Sequence, residues 1–384
     1  MASELSAIIL AAGLSSRMGE LKPLLHLGES TVLGQCITVL KNAGAEDIVV
    51  VTGNRAAEVA AEAQVHKARP EYNPVFSQGM FSSIRAGAKA LNPASSAVFL
   101  LPVDMPLIRV GTFHLLQEHL LATKAEIAHP VFCGKRGHPL CIRASLLKDF
   151  GREKDHAAGL RPLLAAYERD NAQRVIEVAV ADANILIDLD TPEAYRGACA
   201  LYMCHDYPTI KEAEVIVSQI HPMPPKGLAH GHLVGELAAL FATTINRQND
   251  ITLNASLCHV SGLLHDLAKG QPCHETKGSQ WLIRLGFPRA AAIVAVHKDL
   301  LWQEGMPITE RELVHLADKL VRGSALVTIE NRFAEKLALY AHDKEAQAAI
   351  TRRLDLAKRL AGAVEVQCGQ DLYALARQVV PAPC

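Results

Sequence analysis

The sequence predicts two units of different class: an α/β unit with a mostly parallel sheet over residues 1–200, and an all-α helical bundle over residues 207–384. Short apolar runs alternate with amphipathic helical patterns through the first half. A loop of small residues follows the first apolar run. After about residue 200 the alternation stops and apolar stripes at helical spacing take over. Strand–helix alternation with apolar strands predicts a parallel sheet covered on both faces, with ligands gathering at the carboxyl ends of its strands.

In order along the chain, Ala7-Ile8-Ile9-Leu10 reads as a buried strand. It runs into Ala11-Ala12-Gly13-Leu14-Ser15-Ser16-Arg17-Met18-Gly19, followed by Lys22-Pro23-Leu24-Leu25. Small residues leave backbone N–H groups open to a polyphosphate. Arg17 can grip phosphate oxygens in a fork, and Lys22 can act as a point charge. The stretch matches neither a P-loop nor a dinucleotide fingerprint. Leu33, Cys36, Ile37 and Leu40 fall on one helical face. Asp47–Thr52, Ala97–Leu101 and Val175–Val180 read as further strands. Directly after the second of these, Pro102-Val103-Asp104-Met105-Pro106 places an aspartate at a strand's carboxyl end, where Mg²⁺ with its preference for one or two carboxylates plus phosphate can be held. Ile187–Glu193 supplies Asp188 and Asp190. Thr191 and Pro192 also read as a helix N-cap and N1, so Asp190 can equally complement a helix dipole.

The second half carries metal-ligand residue types on helical stripes. The junction is expected between residues 198 and 210, and Ile220–Gly227 reads as a helix end and a stiff connection. His230 precedes the stripe Val234, Leu237, Ala238 and Phe241. His265-Asp266 ends a stripe of Leu257, Val260, Ser261 and Leu264. His274 and His297 follow, and Asp318 adjoins a stripe of Leu313, Leu316, Ala317 and Leu320. Imidazoles and carboxylates from separate helices can hold one or two transition metals inside a bundle. After residue 330, Leu337, Tyr340 and Ala341 are expected to pack a helix on that bundle, and Arg352-Arg353 and Lys358-Arg359 to form a solvated face.

Composition narrows the classes. Hydrophobic content of 49% is ample for two cores, and a formal net charge of −1 argues against a nucleic-acid tracker or a membrane-surface binder. No apolar run is expected to approach the roughly 20 residues that span a bilayer. The N-terminus lacks a basic leader region, and nine cysteines lie without a framework, which reads as reduced thiols in a cytoplasmic protein.

The string A-A-G-x-S-x-R-M-G with K-P-L resembles the MobA-like nucleotidyltransferases, and best the branch making the cytosine dinucleotide form of the molybdenum cofactor. The resemblance implies a Rossmann-like sheet of the nucleotide-diphospho-sugar transferase type. Other strings follow in family order: Tyr72–Ile84, Lys135-Arg136-Gly137-His138-Pro139, Gly159-Leu160-Arg161 with Leu163-Leu164, and Asp188-Leu189-Asp190-Thr191-Pro192-Glu193-Ala194-Tyr195. It implies CTP and molybdopterin as substrates, with Arg17, Lys22 and Asp104 as catalytic residues. Leu10, Ala11, Ala12, Gly13, Ser15, Asn73, Gly79, Ser82 and Ser83 would join these three around the nucleotide. Ser82 and Ser83 can equally be plain caps. Arg136, His138 and Arg161 would face the acceptor, with His138 also readable as structural. Asp104 would bind Mg²⁺, with Asp188 preferred over Asp190 as its partner. The guanylyl branch carries glycine where this chain has Ala12.

The order H…HD…H…H…D, with Leu264-His265-Asp266-Leu267-Ala268-Lys269-Gly270, resembles the HD superfamily of metal-dependent phosphohydrolases. It implies His230, His265, Asp266 and Asp318 around a divalent Mn, Fe, Co, Ni or Zn ion, and His274 and His297 at a second one; His232 is the alternative first ligand. The leading expectation is a bifunctional cytidylyltransferase and phosphohydrolase. The alternatives are another phosphate acceptor, such as a sugar or alcohol phosphate, or a factor delivering cofactor to an apo molybdenum hydroxylase while the HD bundle regulates. A CCA-adding enzyme is disfavoured, because its G-S-x-x-D-x-D pattern is missing and near-neutral charge offers no RNA track.

Overall fold

The computed structural model describes residues 4–14, 19–152 and 160–379, and divides into two compact units that meet in sequence between His205 and Asp206. The first unit is built on a mixed, mostly parallel sheet. Its strands are β1 (Glu4–Ala11), β4 (Asp47–Thr52), β5 (Arg69–Tyr72), β6 (Ser95–Pro102), β7 (Ile127–Phe132), β8 (Lys135–Arg136), β9 (Leu140–Arg143) and β10 (Val175–Ala179). A separate hairpin pairs β2 (His26–Leu27) with β3 (Ser30–Thr31). The strand order is β10-β7-β9-β6-β1-β4-β5, with β8 paired to β7. Strands β6, β1, β4 and β5 run parallel, β9 runs antiparallel between β6 and β7, and β10 lies parallel to β7.

Residues of β1 alternate between two buried faces, which is why the run reads as continuously apolar. Ile8 packs with Val49, Val98 and Leu100 beneath α3 (Met80–Ala90) and α5 (Ala144–Arg152). The opposite face is covered by α1 (Val32–Asn42) and α4 (Val110–Ala122), where Phe113 meets Phe99 edge-on at 5.0 Å. Helix α1 starts where its sequence says, with the Thr31 hydroxyl accepting from the Gly34 amide. Helices α2 (Ala56–Val65), α6 (Leu160–Asp170) and α7 (Pro192–Tyr202) complete the unit. Pairing of Leu10 with Pro102 brings the carboxyl ends of β1 and β6 side by side.

The second unit is helical: α8 (Ile210–Val215), α9 (Pro225–Gln248), α10 (Ala255–Leu264), α11 (His274–Leu285), α12 (Pro288–Val294), α13 (Glu310–Leu320), α14 (Ile329–Leu339), α15 (Lys344–Cys368) and α16 (Leu372–Ala376), with a small ribbon of β11 (Val321–Arg322) and β12 (Ala325–Leu326). Helix α9 is the central element, packed by α10, α13 and α15.

Two expectations are corrected here. At 24 residues, α9 is long and apolar enough to cross a bilayer by length and composition, contrary to the reading of the sequence. Its apolar residues, from Val234 to Ile245, form the core of the bundle. The helices after residue 330 do pack on the bundle, but not through the whole stripe: Leu337 is half-buried, α14 ends at Leu339, Tyr340 and Ala341 are exposed, and α14 buries Ile329 and Phe333 instead. Among the described residues every cysteine is a free thiol.

Candidate functional sites

In the first unit a cavity of about 360 Å³ opens at the carboxyl ends of β1 and β6. Leu10, Ala11, Ala12, Gly13, Lys22, Gly79, Ser83 and Asp104 line it, together with Phe76 and Met80. The Val103 amide donates to the Leu10 carbonyl, and the Leu189 amide donates to the Asp104 carbonyl at 2.9 Å. These two bonds join the β6 turn to the β1 end and bring Asp188 and Asp190 to Asp104. Lys22, on a single 3₁₀ turn stiffened by Pro23, donates to Asp190 Oδ1 at 2.5 Å and reaches Asp104 Oδ2 at 3.4 Å. Asp188 is exposed and makes no hydrogen bond among the described residues. Burial raises the Asp104 pKa above the usual carboxylate value; Lys22 opposes this, and the charges of Asp190 and Asp188 add to it. Among the described residues Lys22 pairs with two of these three carboxylates, and the group offers hard oxygen donors.

His138 joins this group from the β8–β9 turn. Its amide donates to the Ile185 carbonyl, and a Cβ on the preceding Gly137 would fall 2.2 Å from that same oxygen, so only glycine lets the turn approach. Crowding by protein lowers the His138 pKa against the pull of the Asp104 and Asp188 charges, which keeps the ring neutral at pH 7.

Several expected residues are not in the lining of this cavity. Asn73 does not line the cavity. It is buried behind the wall, donating to Ser82 Oγ and Ser83 Oγ at 2.8 and 3.0 Å. Ser82 likewise turns away, donating to the Gly79 carbonyl at 2.8 Å. Both brace the turn that opens α3, a role their polar side chains serve as well as ligand contact. Arg136 is engaged by Glu168 and Glu177 at 2.8 and 2.6 Å, and Arg161 is exposed at the start of α6. Ser15, Arg17 and Gly159 lie outside the described residues.

The second unit gathers its histidines as the spacing implies. The ligand atoms of His230, His265 and Asp266 lie within 4.8 Å of one another, and so do those of Asp266, His274 and His297. Asp266 is therefore common to two groups, which suits a pair of cations sharing one carboxylate. His230 Nε2 lies 3.2 Å from Asp318 Oδ1, which brings Asp318 to the first group. The alternative, His232, points away to Glu214 at 3.5 Å and is partly exposed.

Backbone carbonyls set the ring tautomers. His265 Nδ1 donates to the Gly262 carbonyl and His297 Nδ1 to the Val294 carbonyl, each at 2.7 Å. Each ring thereby turns its Nε2 to the carboxylates, the arrangement of a metal-ligating imidazole. His265 Nε2 is buried with no hydrogen-bond partner among the described residues. Burial disfavours charge on His265, but Asp266 and Asp318, 3.5 and 3.6 Å away, outweigh it and push its pKa up to about 10. Burial holds His297 down at about 4. The cluster is consistent with divalent metal binding.

Sequence reasoning missed three cations and one histidine here. Lys269 pairs with Asp266 at 2.5 Å, and Lys319 and Arg332 reach Asp318 at 2.6 and 3.4 Å. His315 donates from Nδ1 to the His297 carbonyl at 2.7 Å, holding that backbone in place. Helical spacing carried the only signal: Lys269 and His315 each stand three residues from a cluster aspartate.

Fold and sites together define a nucleotidyltransferase unit followed by a helical unit with a His/Asp metal-type centre. The MobA-like NTP transferase domain matches residues 7–172, and the HD domain matches residues 228–323. The chain belongs to the MobA-like NTP transferases and carries an HD domain after the transferase part. It is 29% identical to the molybdenum cofactor cytidylyltransferase of Escherichia coli, over 52% of this chain and 98% of that protein. It is 31% identical to a molybdenum cofactor guanylyltransferase of Xanthomonas euvesicatoria, over 50% of this chain and 92% of that protein. It is also 29% identical to the nicotine blue oxidoreductase of Paenarthrobacter nicotinovorans, over 49% and 93%.

Proposed function

We propose that the first unit transfers CMP from CTP to molybdopterin with Mg²⁺, releasing pyrophosphate and giving the cytosine dinucleotide cofactor. The observation that carries this reading is Lys22 pairing with both Asp104 and Asp190 beside the cavity at the strand ends, with the Asp188 charge acting on Asp104. The acceptor and base rest on the likeness to the Escherichia coli cytidylyltransferase, which the guanylyltransferase rivals. Ala12 supports cytosine. Its methyl lies on the cavity, backed by Phe76 and by Gly53, where an added Cβ would fall 2.8 Å from it. A methyl here narrows the cavity relative to glycine, which favours the smaller pyrimidine base.

The donor set fits Mg²⁺, which takes carboxylate oxygens and leaves positions for phosphate. Asp104 and Asp188 would hold it, and the bound ion would offset negative charge on the triphosphate. Asp190 keeps Lys22 aimed at the cavity, where its ammonium meets the leaving pyrophosphate; Arg17, outside the described residues, would add a second cation as the family resemblance implies. The uncharged His138 ring can donate one hydrogen bond to the acceptor phosphate without drawing its charge off. The nucleophile is an ionised phosphate oxygen, so no general base is required, and the unit's task is alignment and charge neutralisation.

The second unit is proposed to hydrolyse a phosphate ester. His230, His265, Asp266 and Asp318 would hold one divalent transition ion, and His274 and His297 would share Asp266 around another. Bound metal supplies an activated water at neutral pH.

The test is product mass. Wild-type protein with Mg²⁺, molybdopterin and all four nucleoside triphosphates should give the cytosine dinucleotide, and Ala12→Gly should admit GTP. A guanine product from wild type would overturn the base assignment, and no dinucleotide at all would overturn the acceptor.

A further inference from the structure

The second unit holds a cavity of about 390 Å³ with His230 and Asp266 in its lining, so it opens directly onto the His/Asp cluster. Three cations line it as well: Lys226 at the start of α9, Lys269 after α10, and Arg332 in the first turns of α14. Lys269 pairs with Asp266, Lys319 and Arg332 pair with Asp318, and Lys226 adds a further positive charge at the cavity wall. Lys226 is exposed and makes no ion pair among the described residues. Arg332 touches Asp318 through Nη2 alone, at 3.4 Å, and its remaining N–H groups make no further side-chain hydrogen bond among the described residues. A guanidinium held so loosely at a cavity wall keeps its fork for an incoming anion.

The rest of the wall is apolar. Pro222, Met223 and Pro224 face the cavity. A π-helical turn, Ile216–Ile220, ends just before them, and the Met223 amide donates to the Val217 carbonyl at 2.9 Å. The His221 ring stacks on Trp281 at 4.1 Å with 9° between planes, which pins the segment from behind. Inorganic anions gain nothing from such a wall, whereas an organic body does. Both the wall and Arg332 lie outside residues 228–323, the part that matches the HD domain. They are features of this chain rather than of that domain's metal-holding core.

We propose that Arg332, aided by Lys226, clamps the terminal phosphate of an organic phosphomonoester whose compact apolar body lies against Pro222–Pro224. This rests on the phosphohydrolase reading of the second unit. In the reaction a water oxygen bonds to phosphorus, the ester P–O bond breaks, the alcohol leaves with a proton, and inorganic phosphate stays behind.

The test uses the full chain loaded with Mn²⁺. Calorimetric titration with inorganic phosphate compares wild type with Arg332→Gln, Arg332→Lys and Lys226→Gln, each checked for folding by circular dichroism. Loss of one charge-assisted contact should weaken phosphate binding about tenfold in Arg332→Gln. Lysine should restore part of it, Lys226→Gln should weaken it less, and Mn²⁺ affinity should hold within about twofold. The KM for p-nitrophenyl phosphate should rise with Arg332→Gln more than kcat falls. Unchanged phosphate affinity in a folded, Mn²⁺-loaded Arg332→Gln would overturn the proposal. So would an equal loss of Mn²⁺ affinity, which would make Arg332 only an orienter of Asp318. Should Arg332→Gln not fold, unchanged phosphate affinity in Arg332→Lys and Lys226→Gln would overturn it. Wild type that binds phosphate but cleaves no ester would sink the hydrolytic reading alone, and the clamp then stands or falls on the titration.

Discussion

Replacing Gly235 by alanine should disturb the metal centre of the second unit without touching a ligand. Gly235 on α9 faces Gly262 on α10, and the two backbones meet with no side chain between them. A Cβ on Gly235 would lie 2.4 Å from the His259 carbonyl oxygen, whereas Cβ contacts under 3.0 Å essentially never occur. Backbone cannot turn aside as a flexible side chain does, so the helices must part by at least about 0.6 Å, the difference between those two distances. Overpacking of this kind costs about 1–3 kcal/mol, which for a unit of this size lowers Tm by about 2–10 °C. His230 lies on α9 and His265 at the end of α10, with ring centroids 5.2 Å apart, so the same displacement loosens their convergence. Mn²⁺ affinity should fall roughly tenfold, as when support for a ligand is lost. The assay is calorimetric titration of Mn²⁺ beside a thermal melt. The control is Gly362→Ala in α15, where an added Cβ meets nothing within 4 Å; it should stabilise by about 0.5–1 kcal/mol. A Gly235→Ala protein with unaltered Tm and unaltered Mn²⁺ affinity would refute the close-packing argument.

Three more predictions concern charge. Asp182 is buried and accepts from the Arg109 amide, Arg109 Nη1, Thr112 Oγ1 and the Asn184 amide, at 2.7 to 3.1 Å; Asp182→Ala should cost about 3–5 kcal/mol by urea denaturation, because it strips a carboxylate from a buried pair. His265, with its pKa raised to about 10, is protonated in the metal-free protein at pH 7.5, so Mn²⁺ binding should release about one proton there and tighten as pH rises towards 10; titrations in buffers of different ionisation enthalpy read this directly, and zero release would contradict it. Burial lowers His297 to about 4 and His315 to about 3, below the unfolded imidazole value of about 6.5. Their contribution is present above pH 6.5 and lost as pH falls through the folded values, so the metal-free protein should lose stability on acidification from 6.5 to 4, and a flat denaturation midpoint across that window would count against it.

Much of this organisation was legible in the residues. Continuous apolar runs marked β1, β4 and β6, because strands buried on both faces cannot alternate, and Asp104 followed from its place at the end of β6. Strand β5 escaped notice: Arg69-Pro70-Glu71-Tyr72 has no apolar pattern, and proline is tolerated there because β5 is an edge strand. The antiparallel insertion of β9 between β6 and β7 is a long-range pairing that no local period encodes. Histidine and aspartate spacing brought out the second centre, since those side chains are costly to bury without a purpose. Its cations stayed hidden: Lys319 and Arg332 look like any solvated charge until Asp318 is seen between them. Asn73 is ambiguous in the opposite way, because an amide that braces a turn and an amide that binds a ligand are the same in sequence.

The most direct measurement is pyrophosphate release with Mg²⁺, CTP and molybdopterin, comparing wild type with Asp104→Asn. Removing the charge that anchors the carboxylate group should lower kcat by roughly 10²-fold or more while the protein melts as wild type does. Release by wild type, lost in Asp104→Asn, is the predicted result. Equal release by both proteins would contradict the placement of the chemistry at Asp104, and no release by folded wild type would contradict the transferase assignment with these substrates.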